Sequence, residues 1–234
     1  MTTQAYLMTT LFILTMDVLL VLVMLWILRN NGAPVPVLAT TGAGAGLWLG
    51  FLLWGIGGEH FFSDQMNAWA FYAVVLAGIG GVMTVVFTTP LAALLSKGGQ
   101  EMLLLPQGLR AFFGAGFLVE GLLGLLPANF ALVDGITHIT AAVLALMTAL
   151  LLSRHAVGAG SVWLTNLFGL LDLVVVATGI AFALLPEIGL HHNMMYALFF
   201  AAPIFVTLHV LALRLELREP TPMPIMAQTA CVQL

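Results

Sequence analysis

Long apolar stretches follow one another along the chain, and short polar stretches separate them. Seven of these stretches have the roughly 20 mainly apolar residues that a helix needs to cross a bilayer core of about 30 Å. They cover residues 6–28, 35–57, 67–95, 108–126, 130–153, 161–185 and 192–213. Because the connections between them are short, the pattern predicts an all-α, polytopic bundle of seven transmembrane helices over residues 1–218, without an extramembrane domain.

The end of the chain has a different pattern. Pro220, Pro222 and Pro224 alternate with other residues after Glu219. Alternating prolines block a helix, because proline lacks the backbone N–H and its ring restricts the backbone. We therefore predict a flexible, proline-rich tail over residues 219–234.

Basic residues set the predicted orientation of the bundle. They lie after spans 1, 5 and 7 and around the predicted connection between spans 3 and 4, at Arg29, Lys97, Arg110, Arg154, Arg214 and Arg218. All of them fall on one side of a seven-span bundle, and the positive-inside rule makes that side cytoplasmic. The prediction is a plasma-membrane protein, in the inner membrane of a bacterium, with its N-terminus outside and its C-terminus in the cytoplasm.

Composition narrows the class of protein further. Of the 234 residues, 62% are hydrophobic and 7% are charged, whereas a soluble domain has about 25% charged residues. Such a chain cannot cover itself with a solvated surface, which excludes soluble, disordered and nucleic-acid-binding proteins. The one cysteine, Cys231, excludes an internal disulfide and a cysteine-based zinc or iron–sulfur site. The expected partner is the lipid bilayer.

Three acidic residues lie inside predicted spans, at Asp17, Glu120 and Asp172. An ionised carboxylate at the centre of a bilayer costs at least about 2.5 kcal/mol. With these span boundaries no Lys or Arg lies mid-span, and Arg110 is about 15 Å from Glu120 along the same helix. The acids must therefore be protonated, bind a cation, contact water or pair with histidine. Such residues indicate a proton or cation path, and hydrogen bonding between helices by three protonated acids is the structural alternative.

The leading functional prediction is a transporter that couples the movement of a small solute to protons or cations. Asp17, Glu120 and Asp172 would be the protonatable or cation-binding groups. His138 would extend the path toward the outside, and Arg110 would gate the cytoplasmic end or attract anions there. The substrate and the direction of transport stay open at this stage.

Histidine and carboxylate residues also collect at the predicted outer mouth. Two pairs are four residues apart and so share a helix face, and two adjacent histidines begin the last span. The residues concerned are His60, Asp64, Asp134, His138, His191 and His192. This donor set suits zinc, manganese, iron or copper. The alternative function is a metal- or haem-dependent membrane redox protein or enzyme, and ordinary water-facing residues at a membrane edge would give the same pattern.

Haem b is a further cofactor hypothesis, because two histidines from different helices can ligate one iron axially. His138 with His191 or His192 would form an outer pair, and His155 with His209 an inner pair. There is no Cys-x-x-Cys-His segment, which excludes c-type attachment. The chain also lacks a P-loop, a Gly-x-Ser-x-Gly segment and a His-Glu-x-x-His segment, so whether it is an enzyme stays open.

Glycines in span 2 bear on the partners of the chain. Gly42, Gly46 and Gly50 are four residues apart and form a smooth strip on one helix face. We expect this strip to pack inside the bundle, and a homo-oligomer is the alternative. A third functional hypothesis is a non-catalytic subunit of a larger membrane complex, in which the buried acids would be structural.

Overall fold

The computed structural model describes residues 2–60 and 66–222. Every regular element in this part of the chain is helical, which confirms the all-α prediction. Seven helical segments among these residues are long and apolar enough to cross a membrane, which confirms the predicted number of membrane-length helices. They are Thr3–Asn30, Val35–Gly57, Ala68–Thr88, Gly99–Leu122, Ala128–Ser153, Ala159–Ile188 and Met194–Arg218. Residues 61–65 and 223–234 lie outside the described residues, and most of the predicted tail falls there.

Several spans consist of more than one helix. The α-helices are α1 (Thr2–Asn30), α2 (Val35–Leu52), α3 (Ala68–Thr88), α4 (Leu91–Ser96), α5 (Gly99–Leu104), α6 (Arg110–Leu122), α7 (Ala128–Ser153), α8 (Ala159–Gly179), α9 (Leu185–Ile188), α10 (Met194–Phe199) and α11 (Ala201–Arg218). A 3₁₀ turn, Leu105–Leu109, joins α5 to α6. Two π-helical segments, Leu53–Gly57 and Ile180–Leu184, follow α2 and α8.

The fourth span begins earlier than the sequence pattern predicts. Pro106 and Gln107 interrupt the apolar run, which is why residue 108 looked like the start of a helix. Pro106 instead lies in the first turn of the 3₁₀ segment, where its missing N–H is tolerated, and the chain is helical from Gly99 onward. Arg110 therefore lies near the middle of the fourth span, and the prediction that it flanks the connection between spans 3 and 4 is wrong.

The seventh span is broken near one end. Pro203 has no N–H to donate to the carbonyl of Phe199, one turn earlier. The indole Nε1 of Trp48 on α2 donates to that carbonyl at 3.0 Å. The break between α10 and α11 at Phe200 is therefore the place where the second span is attached to the seventh.

Five of the six basic residues lie at one end of the bundle, where α1, α7 and α11 finish and α5 begins. We call this the basic end, and its residues are Arg29, Lys97, Arg154, Arg214 and Arg218. Polar contacts join helix ends there: Asn31 Nδ2 donates to the Leu94 carbonyl at 2.9 Å, and Gln100 Nε2 donates to Glu216 Oε2 at 3.1 Å. The sixth basic residue, Arg110, is the exception.

Small residues control how closely the helices approach. Gly114 on α6 lies against the backbone of Gly135 on α7, and Gly121 lies against Ala131. A methyl group on either α6 glycine would collide with the neighbouring helix, so these residues allow α6 and α7 to pack closely. This packing positions the interior side chains of both helices.

The glycine strip of α2 is different. No atom of the described residues lies within 4 Å of the place where a side chain at Gly46 or Gly50 would begin. The expectation that this strip packs inside the bundle is therefore wrong at these two positions, because α2 lies at the edge of the bundle. An apolar groove of about 720 Å³, lined by residues of α2, α3 and α11, opens beside it.

Candidate functional site

A group of polar side chains from four helices meets inside the bundle. We call it the polar cluster: Arg110 on α6, Asp134 and His138 on α7, Asn166 and Asp172 on α8, and His209 on α11. All six residues are buried. At 1.5 Å per residue, Arg110 lies about 16 Å from the start of α5, and His138 about 15 Å from the start of α7 at the opposite end. The cluster is therefore about midway along the spans.

Arg110 joins three helices. Its Nη2 forms an ion pair with Asp172 Oδ2, and its Nη1 donates to the carbonyl of Gly169 on α8 at 3.2 Å. The guanidinium lies over the ring of Phe205 on α11, 5.9 Å from the centroid. Glycine is needed at position 169, since a side chain there would collide with Arg110 and with the ring of His209.

His138 lies between two carboxylates. Its Nδ1 is 3.0 Å from Asp134 Oδ1, one turn earlier on α7, and 3.1 Å from Asp172 Oδ2. Neither contact has the alignment of a hydrogen bond, so we read the attraction as electrostatic. Asp172 Oδ2 is thus shared by Arg110 and His138.

His209 is held as the neutral imidazole. Its Nδ1 is 2.9 Å from Asn166 Oδ1, and its Nε2 is 3.2 Å from Arg110 Nη1. Asn166 uses its Nδ2 on the carbonyl of Val162, so its oxygen faces the histidine as an acceptor. Because Arg110 can only donate, Nδ1 of His209 must carry the hydrogen and Nε2 must accept.

The charges of the cluster do not balance without a further proton. Arg110 contributes one positive charge, Asp134 and Asp172 contribute two negative charges, and His209 is neutral. One proton held between His138 and Asp134, whose Nδ1 and Oδ1 atoms lie 3.0 Å apart, makes the cluster neutral, and its loss leaves a buried net charge that costs several kcal/mol. The protonation of this pair therefore decides the charge of the cluster.

A second polar group lies at the end opposite the basic end. Glu120 is in the last turn of α6, and Asn193 precedes α10. Asn193 Nδ2 donates to Glu120 Oε1 at 2.6 Å and to Thr9 Oγ1 at 2.8 Å. Glu120 is thus closer to the end of its span than the sequence pattern indicates, because α6 ends at Leu122.

Residues 68–217 match the family described as Domain of unknown function (DUF8737). The match covers more than half of the chain. The chain belongs to the DUF8737 family. No curated protein matches the sequence, and no solved structure matches it. The DUF8737 region extends from α3 to α11, so it contains the whole polar cluster together with Glu120 and Asn193, whereas Thr9 and Asp17 precede it.

The DUF8737 region brings together only part of the predicted metal-binding set. Among the described residues, one group of three has its ligand atoms within 4.8 Å of one another: Asp134, His138 and Asp172. His60, His191 and His192 are not in that group, because His60 packs on the Trp54 ring and His191 approaches the Ile56 carbonyl at 3.3 Å. Asp64 lies outside the described residues.

The proposed inner haem pair does not fit the DUF8737 structure. Both ring nitrogens of His209 are already engaged, one by Asn166 and one by Arg110, which leaves neither for an iron. His155 is exposed beyond the end of α7.

Asp17 is a predicted site residue that lies apart from both polar groups. It is fully buried on α1, and neither carboxylate oxygen has a hydrogen-bond partner among the described residues. In the part of the chain that the structure describes, no hydrogen bond or ion pair joins Asp17 to the polar cluster. Its role in a proton or cation path stays a prediction.

The sequence pattern missed the pairing of Arg110 with Asp172. A usable signal was present on α8, where Asn166, Gly169 and Asp172 are three residues apart and share one face. A small residue between two polar ones leaves room for a long side chain from a neighbouring helix.

Outside the spans, His192 is buried as a neutral side chain. Its Nε2 lies 3.2 Å from the Leu125 carbonyl and its Nδ1 accepts from the Met194 N–H at 3.3 Å. The Tyr6 ring packs edge-on at 5.7 Å. Burial lowers the pKa of His192 from its ordinary 6.5 to about 4, and a proton on Nδ1 would face the Met194 N–H.

This pKa makes His192 a source of acid instability in the folded protein. The unfolded chain binds a proton at position 192 below pH 6.5, whereas the folded protein does so only near pH 4. The stabilisation present above pH 6.5 is therefore lost as the pH falls toward 4, by about 3 kcal/mol in total. We measure the melting temperature as a function of pH. Between pH 6.5 and 4 it should fall less in His192→Gln than in the wild type, while His155→Gln, at an exposed site, should follow the wild type. Parallel curves for wild type and His192→Gln would contradict the assignment.

Proposed function

We propose that this protein moves a small solute across a membrane with coupling to protons, and that the polar cluster is its proton-binding centre. The observation that supports this most is the charge balance around His138. One arginine faces two carboxylates in the bundle interior, so one proton switches the cluster between a neutral and a charged state. Ionisable residues at this depth in a membrane protein commonly carry a proton relay.

Coupling follows from the cost of the charged state. A cluster that has lost its proton has a net negative charge in a medium that solvates it poorly, so it gains from binding a positively charged solute or from regaining a proton. A ligand can shift an equilibrium between two conformations only if it interacts differently with them. The two charge states of the cluster supply such a difference.

The broken seventh span gives further support. α10 and α11 meet at Phe200 instead of forming one continuous helix, and α11 contributes His209 to the cluster. Discontinuous helices that carry binding groups are a recurring feature of transporters. The five residues at the basic end support an N-terminus outside and a C-terminus in the cytoplasm, as expected of a bacterial plasma-membrane protein.

The proposal is tested with purified protein in liposomes that contain a pH-sensitive dye. Amino acids, carboxylic acids, sugars and divalent cations are added as separate classes under an imposed pH gradient. We expect one class to cause proton movement in the wild type and none to do so in Asp172→Asn, because Arg110 then balances Asp134 and the cluster is neutral without a further proton. Glu187→Gln, which removes an exposed acid, is the matched control. Proton movement in Asp172→Asn equal to that of the wild type would eliminate the carboxylate mechanism.

A metal-dependent function is the second candidate, supported by the ligand atoms of Asp134, His138 and Asp172. One nitrogen and two oxygens suit zinc, manganese or iron. We rank it second because Arg110 already pairs with Asp172, so a divalent ion would leave a net positive charge in the interior. Near-stoichiometric metal in the purified protein, lost in His138→Gln, would reverse this order.

A further inference from the structure

Glu120 has a buried carboxylate whose charge is not neutralised by a neighbour. Its side chain is fully buried, and none of the ion pairs among the described residues includes it. Ten residues separate it from Arg110 on the same helix, which is about 15 Å. An isolated ionised carboxylate in such a place is costly enough that it binds a proton or a cation instead.

The hydrogen bonds around Glu120 leave two acceptors without a donor. Asn193 spends both hydrogens of its Nδ2, one on Glu120 Oε1 and one on Thr9 Oγ1. The Thr9 hydroxyl donates to the Tyr6 carbonyl at 3.2 Å. The atoms that remain are Glu120 Oε2 and Asn193 Oδ1, both buried and both without a partner among the described residues. A buried acceptor without a donor has lost its hydrogen bonds to water without gaining others, which destabilises the folded protein.

We propose that Glu120 binds a proton and that its carboxylic acid forms a doubly hydrogen-bonded pair with the amide of Asn193. In this pair Asn193 Nδ2 donates to Glu120 Oε1, as observed, and the Glu120 Oε2 hydroxyl donates to Asn193 Oδ1. A single proton removes the buried charge. It also makes Glu120 Oε2 a donor and gives Asn193 Oδ1 a hydrogen to accept, so both atoms gain a partner. A carboxylic acid and a primary amide have the complementary donor and acceptor sets that this arrangement needs.

A proton explains these two groups better than a metal cation does. The proton occupies no volume of its own and uses the two oxygens that lack a donor. A sodium-sized ion would need several further oxygen ligands, and Thr9 Oγ1 already accepts from Asn193 and donates to Tyr6. Sodium binding is the competing explanation, and the test must be able to detect it.

The position of the pair indicates what the proton does. Phe113 and Phe117 lie between Arg110 and Glu120 along α6, and the Phe117 ring is 5.7 Å from the His138 ring. A cavity of about 30 Å³ beside His138 is otherwise lined by apolar side chains. In the transporter, the pair would hold a proton at the end of the bundle opposite the basic end, and apolar side chains separate it from His138. This role rests on the proposed function, whereas the proton site itself does not.

The helices and links packed against Glu120 carry the other groups that can titrate nearby. They are Tyr6 and Asp17 on α1, Asp134 and His138 on α7, His192 in the link before α10, and Tyr196 on α10. A pH titration of the whole protein would therefore mix several signals. The test needs a readout that belongs to Glu120 alone.

Infrared difference spectroscopy provides that readout, because a protonated carboxylic acid has a C=O stretching band that an ionised carboxylate lacks. We expect the spectrum of the wild type at pH 7 to contain such a band that is missing in Glu120→Gln. Glutamine fits the site, since its amide N–H can donate to Asn193 Oδ1 and its oxygen can accept from Asn193 Nδ2. Glu187→Gln is the matched control, and it should lose no acid band because Glu187 is exposed.

Asn193→Leu tests the pair without removing Glu120. The acid band should remain and move to the higher frequency of a carboxylic acid without an acceptor. An acid band that does not move in Asn193→Leu contradicts the pairing. A wild-type spectrum without a band assignable to Glu120 contradicts the proton site.

Replacing sodium chloride by choline chloride separates the proton from sodium. We expect the Glu120 band to be the same in both salts, and a band that appears only without sodium would identify a sodium site and overturn the proposal. The liposome assay is independent of these spectra. If it finds no proton-coupled transport while the band is present, the proposed function fails and the proton site stands.

Discussion

Arg110→Met is expected to destabilise the protein by about 3–5 kcal/mol, because it removes the guanidinium that pairs with Asp172 and leaves two buried carboxylates that share one histidine. The loss is this large because the bundle interior solvates the remaining charge poorly. It would be measured by thermal or denaturant unfolding in one detergent, followed by tryptophan fluorescence. Arg29→Met, at an exposed site at the basic end, should change stability by less than about 0.5 kcal/mol.

The double variant Arg110→Met with Asp172→Leu distinguishes a lost ion pair from lost packing. Replacing both partners of a buried pair by apolar residues is often neutral, since no charge is then left unpaired. We expect the double variant to recover most of the stability that the single variant loses. If the double variant instead loses as much stability as Arg110→Met and Asp172→Leu lose together, the ion pair is not what holds α6 against α8.

His138→Gln is expected to lower solute-driven proton movement by about 10²-fold or more, the range typical of a group that transfers a proton directly. Glutamine is close in polarity but cannot take up a proton, so the cluster can no longer alternate between its two charge states. The measurement is the rate of solute-driven proton movement in the liposome assay. A rate equal to that of the wild type would show that His138 is not the proton carrier.

Asp134→Asn is the companion variant for this prediction. It removes the carboxylate that contacts His138 on α7 and leaves the pairing of Asp172 with Arg110 in place. The cluster then has one positive and one negative charge before His138 is protonated, so a proton on His138 is no longer needed for neutrality. We expect coupling to weaken while the protein keeps its stability, in contrast to Arg110→Met.

The number and type of the spanning elements could be predicted because they depend on local properties of the chain. A segment in lipid must satisfy its own backbone hydrogen bonds, so an apolar stretch of sufficient length can only be a helix. This reasoning needs no knowledge of neighbouring segments. It predicted all seven membrane-length helices, and it failed at boundaries such as residue 108, where Pro106 and Gln107 interrupt the apolar run.

The position of Arg110 could not be predicted in this way. Hydropathy treats an arginine as a marker of a helix end, because an unpaired charge inside a span is too costly. The cost is met here by Asp172, which is 62 residues further along the chain. Whether a charge is tolerated inside a span thus depends on a partner that the local pattern does not reveal.

Part of the candidate site could be predicted from the sequence. The four-residue spacing of Asp134 and His138 correctly indicates that they share a face of α7, and they are in contact. The pattern linked them to His60 and His191, however, whereas their neighbours are Asp172 and Arg110. Helical periodicity says which residues share a face but not which helix that face meets.

Hydropathy, charge and spacing along the chain were thus sufficient for an all-α protein with seven membrane-length helices and for a list of buried acids. The close packing of α6 on α7, through Gly114 and Gly121, and the space at Gly169 select which of those residues meet. The physical reason is the range of the interactions. Backbone hydrogen bonding and burial in lipid act within one helix, whereas the ion pair, the shared carboxylate and the charge balance of the cluster arise between helices that are far apart in sequence.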